Sequence, residues 1–267
     1  MTGKAFTPGT GMNTSGSAVT GVNFTISGGA TLGGITVLGS PLLPGQSITM
    51  SAQIVTAPIN KAAFAAAGLP WKGHTDLLAH LCGVPDAGMM FWSEKLRVVL
   101  ATVHIPLSEV PAALTRERLL GIIRLTASSL PRFGIHTPRI AVAGLNPHAG
   151  EDGLLGSEEG STLRPAIDAA RAEGIDVVGP FPADTLFVRA TRGECDVVIA
   201  CYHDQGLVPV KLLSFGHSVN VTLGLPIIRT SVDHGTAFDI ARTGQADPGS
   251  MVEAILLAAK LSISPWS

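Results

Sequence analysis

The feature that most limits the fold is an apolar run of strand length that stops abruptly at a block of polar residues. Val197–Cys201 is continuously apolar, and Tyr202–Gln205 follows it directly, before Gly206, which we expect to turn the chain. The run predicts a strand of an α/β sheet. Its polar residues then lie at the carboxyl end of the strand, where open α/β sheets form the crevice that binds ligands. The sequence therefore predicts half of an active site between Val197 and Arg229.

Strands that alternate with helices are predicted from residue 51 to the C-terminus. Further strands are predicted at residues 52–55, 96–103, 139–145 and 175–178. Helices are predicted up to Gly68, from a Thr75 cap to Gly83, over residues 115–130, from a Ser161 cap to Gly174, briefly from Asp233 to Gly244, and from Asp247 onward. Strands that alternate with helices predict an α/β fold, with a mainly parallel sheet flanked by helices.

Residues 1–50 differ in composition from the rest. They contain one charged side chain, Lys4, and 25 of the 50 are glycine, serine or threonine. Short alternations such as Val22–Ile26 and Ile35–Leu38 are compatible with weak strands between glycine turns, and the same composition suits a flexible tail. We expect a poorly ordered or loosely docked β-like segment.

The charge balance argues against two classes of partner. The chain has 18 Lys and Arg against 20 Asp and Glu, so no overall field attracts nucleic acid or an anionic membrane. No apolar run reaches the roughly 20 residues of a membrane span, and the N-terminus lacks the apolar block of a secretory signal. Three scattered cysteines suit reduced thiols rather than a disulfide framework. We therefore expect a cytoplasmic protein that binds neither nucleic acid nor membranes.

Three of the eight histidines occupy equivalent positions. His104, His148 and His203 each stand at or just after the carboxyl end of a predicted strand, at spacings of 44 and 55 residues. The carboxyl ends of parallel strands share one edge of a sheet, so three imidazoles can converge there and hold a divalent transition-metal ion. A single histidine after a strand is more often a hydrogen-bonded turn residue than a metal ligand. Their shared position is what favours the metal site.

A second group of side chains carries donors for an anion. Lys211, Asn220 and Arg229 recur at intervals of nine residues, and all three suit a phosphate or carboxylate. Arg229 follows an apolar segment, where a buried charge needs a partner. His74 and Thr75 precede a predicted helix N-terminus, whose free N–H groups favour an anion. The alternative is that these side chains are solvated and that Thr75 only caps the helix.

Two aspartates are further candidate site residues, and two common nucleotide-binding motifs are missing. Asp184 and Asp204 either orient the histidines, accept a proton or lie in ordinary turns. No GxGxxG follows a strand and no GxxxxGK[ST] occurs. The sequence therefore lacks both the Rossmann dinucleotide fingerprint and the P-loop.

Seven segments, in order, resemble one enzyme family. They are TAPINKAA from Thr56, GHT from Gly73, ATVHIPL from Ala101, GLNPHAGEDG from Gly144, PADTLF from Pro182, YHDQGL from Tyr202 and VNVTLGLPIIRTSVDHGTAFDIA from Val219. Together they resemble 4-hydroxythreonine-4-phosphate dehydrogenase over nearly everything from about Gln53 to the C-terminus. Such long ordered strings are specific for the family and less specific for its substrate.

The resemblance implies a homodimer with a fold like those of isocitrate and isopropylmalate dehydrogenases, with two lobes and a cleft, and residues 51–267 as the dehydrogenase domain. It implies NAD or NADP as cofactor, bound without the Rossmann fingerprint. His104, His148 and His203 match the family's ligands of a divalent metal (Zn, Mg or Co), at a site completed across the dimer interface. Five further positions match its substrate-binding residues: His74, Thr75, Lys211, Asn220 and Arg229.

The implied reaction is oxidation of a small phosphorylated hydroxy-amino acid, 4-phosphohydroxy-L-threonine. The product, 2-amino-3-oxo-4-phosphooxybutanoate, loses carbon dioxide to give 3-amino-2-oxopropyl phosphate on the route to pyridoxine 5'-phosphate. Lys211, Asp204 and Asp184 are the candidate catalytic residues, as proton acceptors or groups that orient the histidines.

Several alternatives stay open. One is a related dehydrogenase of 4-phospho-threonate, 4-phospho-erythronate or a dihydrodiol dicarboxylate. Another is an inactive truncated paralogue, because residues 1–50 lack the family's opening strand and Gly/Pro-rich turn. A metal-dependent hydrolase that uses the same histidines is a weaker fourth hypothesis.

Overall fold

An eight-stranded sheet runs through the computed structural model, which describes residues 53–263 except Lys72 and Pro85. Its strands are β1 Gln53–Thr56, β2 Gly88–Trp92, β3 Arg97–Leu100, β4 Ile140–Ala143, β5 Val177–Phe181, β6 Val197–Ala200, β7 Val219–Leu223 and β8 Ile228–Ser231. Their order across the sheet is β1-β8-β7-β2-β3-β6-β4-β5. The glycine-rich segment of residues 1–50, for which the sequence predicts a loosely docked β-like structure, lies outside the described residues.

Helices flank this sheet. They are α1 Lys61–Ala66, α2 His74–Leu81, α3 Val110–Ala113, α4 Arg116–Ser129, α5 Arg164–Ala172, α6 Ala183–Thr191, α7 His203–Ser214 and α8 Gly249–Ile263. Shorter 3₁₀ turns lie at Leu107–Glu109, Leu130–Phe133, Pro147–Gly153 and Phe238–Ile240, and a π turn, Glu159–Leu163, leads into α5. Among the described helices none is long and apolar enough to cross a membrane.

The sheet is mixed. The pairs β1–β8, β3–β6, β6–β4 and β4–β5 are parallel, whereas β8–β7, β7–β2 and β2–β3 are antiparallel. The predicted α/β class is confirmed, and five of these strands were predicted within a few residues of their bounds. Strands β2, β7 and β8 were not predicted. The described residues from Gln53 onward form one compact unit.

Each face of the sheet carries its own apolar core. On the central strand β6, Val197 and Ile199 face one core, while Val198 and Ala200 face the other, and all four are buried. Helices α4, α5 and α8 cover the first face, and α6 and α7 cover the second. Burial on both sides explains why this strand is a continuous apolar run.

Gly206 does not turn the chain, contrary to the prediction. It lies inside α7, which begins at His203, directly after β6. A Cβ atom at Gly206 would lie 2.7 Å from Leu100 Cδ2 and 2.8 Å from Val98 Cγ1. The glycine therefore lets α7 pack closely on β3 and β6, which holds His203 near the carboxyl end of β3.

Both predicted N-caps, Thr75 and Ser161, are wrong, and α4 has an N-cap that was not predicted. Helix α2 begins at His74 with Gly73 as its N-cap, so Thr75 lies inside the helix and caps nothing. Ser161 lies within the π turn that precedes α5. Thr115 caps α4, because its hydroxyl accepts a hydrogen bond from Arg118 N at 3.1 Å. The predicted short helix between residues 233 and 244 is reduced to the 3₁₀ turn Phe238–Ile240.

Candidate active site

Two of the three predicted metal-binding histidines lie side by side. His104 follows β3, and His203 follows β6, its parallel neighbour in the sheet. Their ring centroids are 5.5 Å apart. Thr102 joins the two loops, since its hydroxyl donates a hydrogen bond of 2.7 Å to Cys201 O. The shared sheet edge therefore brings these two imidazoles together, as the sequence predicts.

The surroundings suit both rings as ligands of a divalent cation. Burial is the main cause that lowers the pKa of His104, and the nearby charges of Lys61 and His203 lower it further. Neutral imidazole is the form that binds a metal. His203 Nδ1 lies 2.7 Å from the Asp204 carboxylate, which accepts its hydrogen and leaves Nε2 for a metal. The pair thus fits two positions of a metal site.

His148 does not join this pair. It lies in the turn after β4, its side chain is 69% exposed, and its Nδ1 is 3.4 Å from Glu151 Oε2. Among residues 53–263, outside the two gaps, no three His, Cys, Asp or Glu side chains form a group that could hold a metal ion. One copy of the chain therefore supplies two adjacent imidazoles, with the third predicted ligand elsewhere on its surface.

Arg229 is a buried cation held by neutral groups. It lies on β8, is 4% exposed, and donates hydrogen bonds to Thr56 Oγ1 at 2.7 Å and to Thr222 Oγ1 at 3.0 Å. Its Nε is buried and has no partner in the described part of the chain, where no ion pair involves this residue. Burial lowers the pKa of Arg229 to about 10. A buried guanidinium without a carboxylate suits an anionic ligand.

Asn220 and His74 lie near this arginine. On the antiparallel β7–β8 pair, Asn220 is opposite Ser231, and Arg229 lies two residues before Ser231 on the same face. The Asn220 Oδ1 is buried and without a hydrogen-bond partner among the residues described. Burial first, and then the charge of Arg229, lower the pKa of His74 at the start of α2. Three predicted substrate-binding residues thus gather at one end of the sheet.

Helix α2 connects this anion-binding group to the histidine pair. The charge of Arg229 contributes to the lowered pKa of His74. Two residues later on the same helix, the negative charge of Asp76 raises the pKa of His104 and so partly offsets the effect of burial. Thr75 lies between His74 and Asp76 in the first turn of the helix. The cation site and the anion site are therefore parts of one region.

The remaining predicted residues lie on α6 and α7. Lys211 donates from Nζ to Asp233 O at 3.2 Å, which links α7 to the chain that leaves β8. Asp184 accepts a hydrogen bond from Thr185 N at 2.9 Å in the first turn of α6. Asp184 and Asp204 line a groove of about 470 Å³ between α6 and α7, which is otherwise mainly apolar.

Sequence reasoning missed the residues that support the site. Thr56 and Thr222 were not singled out, although Thr222 alternates with Asn220 on β7. Glu159, buried beneath the His148 turn, was also missed. A glutamate that follows a strand-end histidine by eleven residues carries no signal until the fold of the turn is known.

The family model described as pyridoxal phosphate biosynthetic protein PdxA matches residues 48–258. The 4-hydroxythreonine-4-phosphate dehydrogenase of Desulforapulum autotrophicum is 55% identical over 207 residues, 77% of this chain and 61% of that protein. The crystal structure of the Klebsiella pneumoniae enzyme of that name has a TM-score of 0.74 at 50% identity, covering 79% of this chain and 65% of its own.

A second kind of dehydrogenase is less similar. A Burkholderia xenovorans structure described as a terephthalate 1,2-cis-dihydrodiol dehydrogenase has a TM-score of 0.61 at 35% identity, covering 76% of this chain and 65% of its own. The chain thus spans less than two thirds of the length of these relatives.

Proposed function

Since the chain belongs to the family of the pyridoxal phosphate biosynthetic protein PdxA, we propose that it oxidises 4-phosphohydroxy-L-threonine with NAD or NADP and a divalent metal ion. The observation that carries the proposal is the pairing of two kinds of site in one region. Two adjacent imidazoles, His104 and His203, suit a metal, and the buried Arg229 suits an anion. A substrate with a reactive alcohol between anionic ends needs both.

Each residue has a role in this reaction. His104 and His203 hold the ion, and Asp204 fixes the ring of His203. Arg229 and His74 bind an anionic end of the substrate, with Thr75 and Asn220 beside them. Lys211 lies on the same helix as His203 and, with its amine neutral, would accept the proton of the alcohol.

When bound, the ion supplies the positive charge that acidifies the alcohol, and the nicotinamide accepts the hydride. The substrate would lose a hydride from carbon to the nicotinamide and a proton from oxygen to the neutral amine of Lys211. The resulting β-keto acid then loses carbon dioxide, and a proton replaces it on carbon. Arg229 holds the anionic substrate in place through both stages.

The third metal ligand, His148, would come from a second copy of the chain. Helix α7, which begins at His203, exposes Val208 and Leu212 at 64% and 83%, and Phe215 directly after the helix is 76% exposed. Exposed apolar side chains of this kind mark protein–protein contact surfaces. A dimer that buries these side chains would involve the helix that carries His203.

Complementation tests this shared site. His148→Ala and His203→Ala variants are each inactive if both residues bind the ion. In a mixed dimer, one site receives both intact residues, whereas the other lacks both, so a mixed dimer has about half the wild-type activity. Random reassociation of equal amounts makes about half of the dimers mixed, so the mixture should recover about a quarter of the wild-type activity. Without any restoration after verified mixing, the site is contained within one chain.

Parallel assays decide the substrate. Purified protein with Zn, Mg or Co is supplied with 4-phosphohydroxy-L-threonine, 4-phospho-threonate, 4-phospho-erythronate or the dihydrodiol dicarboxylate, and NAD(P) reduction is followed. The account predicts the highest kcat/KM with the first compound. A higher value with another substrate reassigns the reaction within the family. An inactive paralogue turns over none of them, even though it binds metal.

A further inference from the structure

The turn that carries His148 is held in an unfavourable backbone conformation. His148, Ala149, Gly150, Glu151 and Asp152 all have positive φ, from 43° to 83°. Only one of the five is glycine, and L-residues disfavour this region because Cβ crowds the backbone. A run of this kind persists only where the surrounding structure holds it in place.

The support comes from Glu159. The residue is 2% exposed, and its carboxylate accepts hydrogen bonds from Asn146 N at 2.7 Å and from Asn146 Nδ2 at 3.0 Å. Asn146 is the residue that begins the turn. None of the ion pairs in the described part of the chain involves Glu159, so this buried carboxylate faces the turn rather than a basic side chain.

The turn is also shaped to admit this carboxylate. A Cβ atom at Gly150 would lie 2.6 Å from Glu159 Oε2, and one at Gly144 would lie 2.8 Å from Ala149 Cα. Glu159 is itself fixed, because the π turn that it begins continues through the buried Leu163 into α5. The buried carboxylate of Glu159 therefore connects the strained turn to a rigid element.

We propose that Glu159 is a positioning residue that sets the direction of the His148 imidazole and so tunes the affinity of the metal site. The inference rests on the proposed function, in which His148 is a metal ligand. The carboxylate touches neither metal nor substrate and acts through Asn146 and the turn. Groups that orient metal ligands typically change metal affinity by about 10–100-fold when they are replaced.

Calorimetric titration of the metal-free, full-length protein with Zn²⁺ tests the proposal. Glu159→Gln keeps the volume of the side chain but puts an amide N–H₂ where Asn146 Nδ2 needs an acceptor. We expect its Zn²⁺ affinity to fall at least about tenfold. We also expect faster amide exchange over residues 146–154 and a thermal midpoint near that of the wild type. Excess metal should restore kcat, and the substrate KM should change little. A general loss of structure would instead alter both kcat and KM and would not be reversed by metal.

Glu158→Gln is the matched control. Glu158 Oε2 accepts from the same Asn146 Nδ2 at 2.8 Å, and glutamine keeps that acceptor, so its Zn²⁺ affinity should remain within about twofold of the wild type. Should Glu159→Gln fail to fold, Asn146→Ala carries the test, because it removes the side-chain donor from both glutamates. Asn146→Ala should lower Zn²⁺ affinity, whereas Glu158→Gln should not.

His148→Ala separates the two levels of the hypothesis. If His148→Ala weakens Zn²⁺ binding and Glu159→Gln does not, the role of Glu159 is wrong and the metal site stands. If His148→Ala leaves Zn²⁺ affinity unchanged, the third ligand of the proposed site is wrong and the role of Glu159 falls with it.

Discussion

Arg229 and Thr56 are 173 positions apart in the sequence, and a hydrogen bond of 2.7 Å joins the guanidinium Nη2 to the threonine hydroxyl. The parallel pairing of β1 and β8 places Ile54 opposite Arg229, so the hydroxyl at the end of β1 reaches the arginine. Thr222 on β7 accepts from the other terminal nitrogen at 3.0 Å. A positive charge is thus oriented by neutral acceptors, which leaves it available to an anion.

Replacing Arg229 with methionine should separate stability from function. An apolar side chain of similar length removes an uncompensated buried charge, so we expect unchanged or increased stability, by up to about 1–4 kcal/mol. The kcat/KM should fall at least about tenfold, since a hydrogen bond to a charged group contributes about 1.5–3 kcal/mol. Urea unfolding and steady-state kinetics measure the two effects. Arg124→Met, at an exposed ion pair with Glu173, is the control and should leave kcat/KM unchanged.

Thr56→Val should leave a buried guanidinium N–H without its acceptor. We expect a loss of about 1–3 kcal/mol in the free energy of unfolding, together with a higher substrate KM because Arg229 is no longer oriented. Thr56→Ser keeps the hydroxyl and should restore most of both quantities. Equal behaviour of the valine and serine variants would show that the hydroxyl does not matter.

The free energy of unfolding should fall on acidification, because the folded chain disfavours protonation of histidines in the site. Burial and Arg229 lower the pKa of His74 in the folded chain below its ordinary value of 6.5. The unfolded chain therefore binds the proton more readily between the two values, so stability is full above about pH 6.5 and decreases as the pH falls toward the folded pKa. Urea midpoints from pH 8 to pH 5 should show this slope. His74→Asn should flatten it, and an unchanged slope would contradict the assignment.

Gly206→Ala should displace the helix that carries His203. A Cβ atom 2.7 Å from Leu100 Cδ2 and 2.8 Å from Val98 Cγ1 requires these buried side chains, or α7 itself, to shift, and overpacking of this kind typically costs about 1–3 kcal/mol. Metal affinity should fall with it. Gly121→Ala is the matched control, because Gly121 lies inside α4 with no atom within 4 Å of the added Cβ. That variant should be more stable than the wild type by about 0.5–1 kcal/mol.

The sequence predicts the histidine pair because it follows from a general rule of topology. His104 and His203 end strands that are parallel neighbours, so their positions can be read from the strand ends. The burial of Arg229 follows in the same way from the apolar segment before it. His148 also follows a predicted strand, so the same rule places it near the other two histidines. Its turn instead runs through consecutive residues of positive φ, a conformation that the order of strands and helices does not predict.

Other features depend on register and packing, which a single sequence does not reveal. Thr56 and Thr222 contact Arg229 only because β1, β8 and β7 are neighbours, and two of these strands were not predicted. Gly206 was interpreted as a turn because a glycine that allows close packing looks the same in the sequence as a glycine that allows a turn. Only the structure, in which Gly206 lies on the side of α7 that packs against the sheet, distinguishes the two interpretations.

The most direct test of the account is metal-dependent NAD(P) reduction with 4-phosphohydroxy-L-threonine, measured before chelation, after it and after return of the ion. The account predicts that the wild type loses activity on chelation and regains it with Zn, Mg or Co. His104→Ala and His203→Ala should stay inactive, while His217→Ala, at an exposed histidine, should behave like the wild type. Activity that survives chelation, activity in His104→Ala, or no turnover by the wild type with any of the ions would contradict it.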